Sequence, residues 1–136
     1  MLIMARDRDY PALLEVLRGK TVLIWTCNVC IRLCGIGGRE AAERLAARLT
    51  ADGVAVAGVH VTSASCLTEK VFRDCPAPAA VPADVVLALT CNVGSRLVSA
   101  VRGQPALNPV VTLGYGYKDG ERGPVLCEPG PDGTLT

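Results

Sequence analysis

The run TVLIWTCNVCIRLCGIGGREAAERLAARLTADGVAVAGVHV (Thr21–Val61) changes its hydrophobic period twice. TVLIWT (Thr21–Thr26) is apolar and β-branched without alternation. That pattern suits a strand buried on both faces of a parallel sheet. In GREAAERLAARLTADG (Gly38–Gly53) the period becomes helical. Ala42, Leu45, Ala46 and Leu49 fall at i, i+3, i+4 and i+7, on one face. Glu40 and Arg44 are spaced for an i,i+4 ion pair on the other, and Gly53 is a helix stop. VAVAGVHV (Val54–Val61) is again strand-like. A strand, a helix and a second strand in this length predict one parallel crossover unit.

The same alternation extends along the chain. DYPALLEVLRGK (Asp9–Lys20) predicts a short amphipathic helix, with Pro11 in its first turn and Gly19 at its end. Beyond Val61, TSASCLTEKVFRDC predicts a loop and a short helix capped by Ser63 or Ser65. PAPAAVPAD is a proline-rich connection. VVLALT (Val85–Thr90) predicts a third strand, SRLVSAVRG a helix capped by Ser95, and NPVVTL (Asn108–Leu113) a fourth strand. The expected fold is a small α/β domain, Rossmann-like or flavodoxin-like. It has a parallel sheet of about four strands with helices on both faces. The domain is expected over residues 1–115, and an irregular Gly/Pro-rich tail over 116–136.

Composition narrows the function. The chain has 136 residues, 14 basic and 13 acidic, and a formal net charge of +1. It has one Trp, one Phe and three Tyr. A nucleic-acid surface needs a basic face with stacking aromatics, so no nucleic-acid partner is expected. No apolar run is long enough to span a bilayer, and MLIMARDRDYP carries charges where a signal peptide needs its apolar stretch. A cytoplasmic protein without a membrane partner is the expectation. Its seven cysteines are then thiols rather than a disulfide framework, which points to metal binding or redox chemistry.

Five of those cysteines fall beyond strand ends. Cys27 and Cys91 directly follow the first and third strands, each within a copy of Thr-Cys-Asn-Val. Cys30 and Cys34 complete a C-x2-C-x3-C loop after the first strand, and Cys66 lies just past the second. In an open parallel sheet, ligands bind at the carboxyl edge near a switch in strand order. Thiolates there favour an iron–sulfur cluster, a 4Fe–4S cluster being the expected form, or zinc. His60 near the end of the second strand is a further candidate ligand, although a lone strand histidine is more often simply packed. Cys75 and Cys127 read as ordinary buried cysteines. The helix starts at GIGGRE and VGSR favour negative charge, and Gly35, Gly37, Gly38 and Gly94 permit close approach to a bulky group. A phosphate could use the same glycines, but the G-x-G-x-x-G spacing and the acidic ribose partner are absent. Cys27 and Cys30 also form a C-x-x-C, so thiol–disulfide or persulfide chemistry is a third reading.

Three segments together carry a family likeness. They are LLEVLRGKTVLIWTCNVCIRLCGIGGREAAERLAARLTADGVAVAG (Leu13–Gly58), SASCLTE (Ser63–Glu69) and ADVVLALTCNVGSRLVSAV (Ala83–Val101). The chain resembles, over residues 10–115, the small subunit accompanying flavin-dependent methylenetetrahydrofolate reductase. The resemblance implies an accessory electron-transfer role in one-carbon metabolism, with a metal centre serving a flavin-bearing reductase subunit or another redox partner. It maps the ligands onto Cys27, Cys30, Cys34, Cys66 and Cys91. The family pattern continues into a second cysteine-rich segment, whereas past residue 115 this chain has only Cys127.

Overall fold

The computed structural model describes residues 1–6 and 9–127. Strand β1 (Leu2–Arg6) precedes helix α1 (Tyr10–Leu17) and strand β2 (Thr21–Cys27). A short helix α2 (Cys30–Leu33) and the long α3 (Arg39–Ala51) lead to β3 (Ala55–Thr62). Helix α4 (Thr68–Asp74), β4 (Val85–Leu89), α5 (Asn92–Arg102) and β5 (Ala106–Leu107) follow. The strands β6 (Val110–Asp119) and β7 (Gly123–Leu126) complete the described chain.

Four parallel strands form one sheet in the order β3-β2-β4-β5. By order of appearance this is second, first, third, fourth, the flavodoxin-like arrangement. The chain leaves β2 toward one edge and returns to its other side at β4, so the switch point lies between the carboxyl ends of β2 and β4.

Both faces of the sheet are covered. On one face Val22, Ile24, Leu87 and Leu89 pack with Leu13 and Leu17 of α1 and Ala42, Leu45 and Leu49 of α3. On the other, Leu23, Trp25, Val86 and Ala88 pack with Val71 of α4 and Val98 of α5. The unbroken apolar runs of β2 and β4 follow from this double burial. The ion pair on α3 joins Arg39 to Glu43 at 3.6 Å, rather than Glu40 to Arg44. Both partners are exposed, so it adds little stability.

The proline-rich connection before β4 is held by a buried arginine. Arg102, 4 % exposed, donates from Nη1 to the Pro76 carbonyl at 2.9 Å, from Nη2 to the Val81 carbonyl and from Nε to Gln104 Oε1. Gln104 Nε2 in turn donates to the Ala83 carbonyl at 3.0 Å.

Several expected boundaries shift. Helix α5 starts at Asn92 with Cys91 as its N-cap residue, so Ser95 lies inside the helix. The cap comes from outside: the Asn92 N–H donates to Thr112 Oγ1 at 3.2 Å. Helix α4 starts after Leu67, and neither Ser63 nor Ser65 caps it. The fourth parallel strand is only Ala106–Leu107. Pro109 follows it, and from Val110 the chain joins a second, antiparallel sheet of order β1-β6-β7. The tail expected to be irregular from residue 116 is therefore strand-forming through Leu126. Its glycines serve close packing: a Cβ on Gly116 would lie 2.0 Å from the Val125 carbonyl oxygen. Residues 128–136 of that expected tail lie outside the described residues.

Candidate thiol site at the switch point

The two Thr-Cys-Asn-Val copies close the two strands that flank the switch point. Their threonines are fully buried and finish the backbone hydrogen bonding where the ladder ends. Thr26 Oγ1 donates to the Leu89 carbonyl and accepts from the Gly38 N–H, both at 2.9 Å. Thr90 Oγ1 donates to the Cys91 carbonyl at 2.9 Å. Cys27 is thereby set at the end of β2, and Cys91 between the end of β4 and the start of α5. Cys27 is 7 % and Cys91 8 % exposed.

A cavity of about 140 Å³ opens beside them. Cys27, Cys30, Cys66 and Cys91 line it, with Leu2, Met4, Val29, Ile31 and Val93 as apolar wall. The four cysteines come from the end of β2, the start of α2, the loop after β3 and the cap of α5. Cys66 is exposed and Cys30 partly buried. The loop carrying Cys66 is fixed one residue earlier. Ser65 Oγ accepts from Trp25 Nε1 at 2.9 Å and donates to the Gly94 carbonyl at 3.4 Å.

Cys34 stands apart from this cavity. Its thiol donates to the Leu2 carbonyl at 3.6 Å, while Cys30 Sγ accepts from the Leu2 N–H at 3.4 Å. The expected five-cysteine edge thus divides into four that share a cavity and one that faces the edge of β1. His60 pairs across the sheet with Trp25 and is not on the cavity wall. Its pKa is lowered by burial first, then by Arg102 and Arg39. Cys75 packs on the α4–α5 face and donates to the Pro76 carbonyl at 3.7 Å. Cys127 follows β7, where its N–H donates to the Tyr115 carbonyl at 2.9 Å.

Of the glycines expected to approach a bulky ligand, Gly37 and Gly94 approach protein closely, whereas a Cβ on Gly35 would meet nothing within 4 Å. A Cβ on Gly37 would lie 2.4 Å from Ile31 Cγ1, and one on Gly94 2.8 Å from Ser65 Oγ. Gly38 has φ of 86°, which favours glycine. Gly37 and Gly94 thus seat α2 and α5 closely. A separate cavity of about 720 Å³ beyond α2 has Arg32, Arg39, Arg44 and Lys118 on its walls.

The chemistry available is that of soft sulfur donors in an apolar, partly closed space. Among the described residues, no three His, Cys, Asp or Glu side chains stand as a ready metal-binding group. The donor set fits a thiophilic metal or cluster, provided the side chains draw inward on binding. Burial, first of all, pushes the Cys27 thiol up from its ordinary value of 9.0, with the neighbouring Cys91 and Cys30 adding to the rise. A metal must therefore displace a firmly held proton there.

The sign of the corresponding stability effect is definite. The unfolded chain loses this proton near 9.0, and the folded chain loses it higher. The stabilisation from Cys27 is complete below the unfolded value and is lost as pH rises through the folded one. Melting temperatures of the metal-free protein from pH 7 to beyond pH 10 are expected to fall on the alkaline side, and to fall less in Cys27→Ala. An equal alkaline fall in both proteins would contradict this.

Leu2 and Met4 are the wall that motif reading missed. The apolar LIM triplet was the available signal, but its position in the cavity depends on pairing with β6, over a hundred residues away. No helix among the described residues is long and apolar enough to cross a membrane. The chain matches no family model, no curated protein and no solved structure.

Proposed function

We propose that this protein is an accessory electron carrier, with an iron–sulfur cluster ligated by Cys27, Cys30, Cys66 and Cys91. The observation behind this reading is the convergence of these four thiols on one apolar cavity at the switch point of the sheet. A bound cluster would supply one-electron exchange.

The chain's own residues account for the rest. Leu2, Met4 and Ile31 exclude water from one side of the sulfurs. The first turn of α5, capped by Cys91, places positive helix-end charge beside them and offsets the negative charge of a thiolate-bound centre. Val29, Leu67 and Val93, each at least 40 % exposed, surround the Cys66 side and offer an apolar seat to a redox partner. The family resemblance makes a flavin-dependent reductase subunit the partner of choice.

The second reading is zinc held by the same thiolates as a structural or docking module. The small cavity, about 140 Å³, favours a single ion over a cluster. Thiol–disulfide or persulfide catalysis has less support, because burial keeps Cys27 protonated and weakly nucleophilic near neutral pH. Metal and acid-labile sulfide analysis of protein prepared without oxygen tests the proposal. Iron with matching sulfide supports the cluster. One zinc without sulfide replaces it with the second reading, and the absence of both metals removes both.

A further inference from the structure

The edge of β1 points at the thiol loop. Met1 exchanges both of its hydrogen bonds with Gly116 of β6, at 3.0 Å from its amino group and 2.8 Å to its carbonyl. In an antiparallel pair the next residue directs its N–H and C=O the other way. Leu2 therefore carries the outward, unpaired groups of an edge strand. Two thiols one helical turn apart satisfy both of them. Cys30 Sγ accepts from the Leu2 N–H, and the Cys34 thiol donates to the Leu2 carbonyl.

We infer that Cys34 is a positioning residue: it clasps Leu2 so that the Leu2 N–H is aimed at the sulfur of Cys30. The inference rests on the proposed cluster reading only for its effect on redox potential. Hydrogen bonds to ligand sulfurs are among the determinants of cluster potential. One-electron reduction from an external donor adds negative charge to the centre and breaks no bond in the chain. An N–H directed at a ligand sulfur stabilises that added charge. In this arrangement the Cys34 thiol S–H is the donor to the Leu2 carbonyl. That role is incompatible with ligation and accounts for a fifth cysteine beside a four-thiol site.

The test compares wild type with Cys34→Ala and Cys34→Ser in the full chain. In metal-free protein, amide exchange at Leu2 is expected to be about 2- to 10-fold faster in Cys34→Ala, as for loss of one hydrogen bond. The serine hydroxyl can donate to the same carbonyl and is expected to restore slow exchange. In protein reconstituted with iron and sulfide, Cys34→Ala is expected to keep the wild-type metal content. Its midpoint potential moves to more negative values, and Cys34→Ser returns it toward wild type. Loss of iron in Cys34→Ala would make Cys34 a ligand and overturn the inference. Unchanged exchange at Leu2 would overturn it as well, as would an unchanged potential, and either result leaves the cluster reading intact. Should the wild type take up no metal, the cluster reading fails, and the Leu2 exchange still decides whether the clasp exists.

Discussion

Cys27→Ala and Cys91→Ala proteins, prepared without oxygen, are expected to carry almost no iron or sulfide. Removing an outer-shell partner of a metal ligand costs roughly 10–100-fold in affinity. Loss of a ligand should exceed that range. These two cysteines are the appropriate targets because Cys27 ends β2 and Cys91 caps the start of α5, the elements that flank the switch point. Cys34→Ala serves as the matched control, since its sulfur faces Leu2 rather than the cavity. Each substitution deletes a single sulfur atom. The fold should survive, with a far-ultraviolet circular dichroism spectrum like that of wild type. Full iron and sulfide in both variants would refute the four-thiol assignment.

The second large effect concerns stability. Trp25 is fully buried on the α4–α5 face and is the only tryptophan of the chain. Trp25→Ala is expected to cost about 3–5 kcal/mol. That is a large share of the roughly 5–15 kcal/mol by which a domain is stable. Trp25→Phe keeps most of the buried area and removes the indole N–H, which leaves Ser65 without its donor. Its expected cost is nearer 1–3 kcal/mol, the value of a buried hydrogen-bonding group losing its partner. Urea unfolding followed by circular dichroism distinguishes the two, because both variants lose tryptophan fluorescence. Equal midpoints for Trp25→Ala and wild type would show that this packing contributes nothing. Ser65 also holds the loop that presents Cys66, so Trp25→Phe is further expected to speed alkylation of Cys66.

The parallel sheet was legible because each of its main strands declares itself locally. TVLIWT and VVLALT are apolar without alternation, and the Ala42–Leu49 stripe admits only a helix. The cysteines at strand ends were legible for the same reason. What eluded sequence reading depends on contacts between distant segments. Leu2–Arg6 becomes a strand by pairing with Val110–Tyr115, and LGYGYK becomes one by pairing on both of its sides. Glycine-rich composition hid that second strand, although Gly116 is needed because β7 crosses so closely. Cys34 was grouped with its neighbours by spacing. Only the direction of its sulfur, toward the edge of β1, separates it from them. Likewise, nothing local to Ser65 reveals that an indole from β2 occupies its oxygen.

The buried Arg102 bears on how this chain tolerates change. Its guanidinium holds the connection before β4 through the carbonyls of Pro76 and Val81, not through any side chain of that segment. Backbone carbonyls are common to every residue type. The alanines Ala77, Ala79 and Ala80 can therefore drift without loss of the anchor, provided the path of the chain is kept. Arg102 itself has no such freedom. A lysine is a point charge on a flexible stem and does not reproduce a planar fork reaching three acceptors in different directions. The least constrained stretch of the sequence is thus held in place by one of the most constrained side chains.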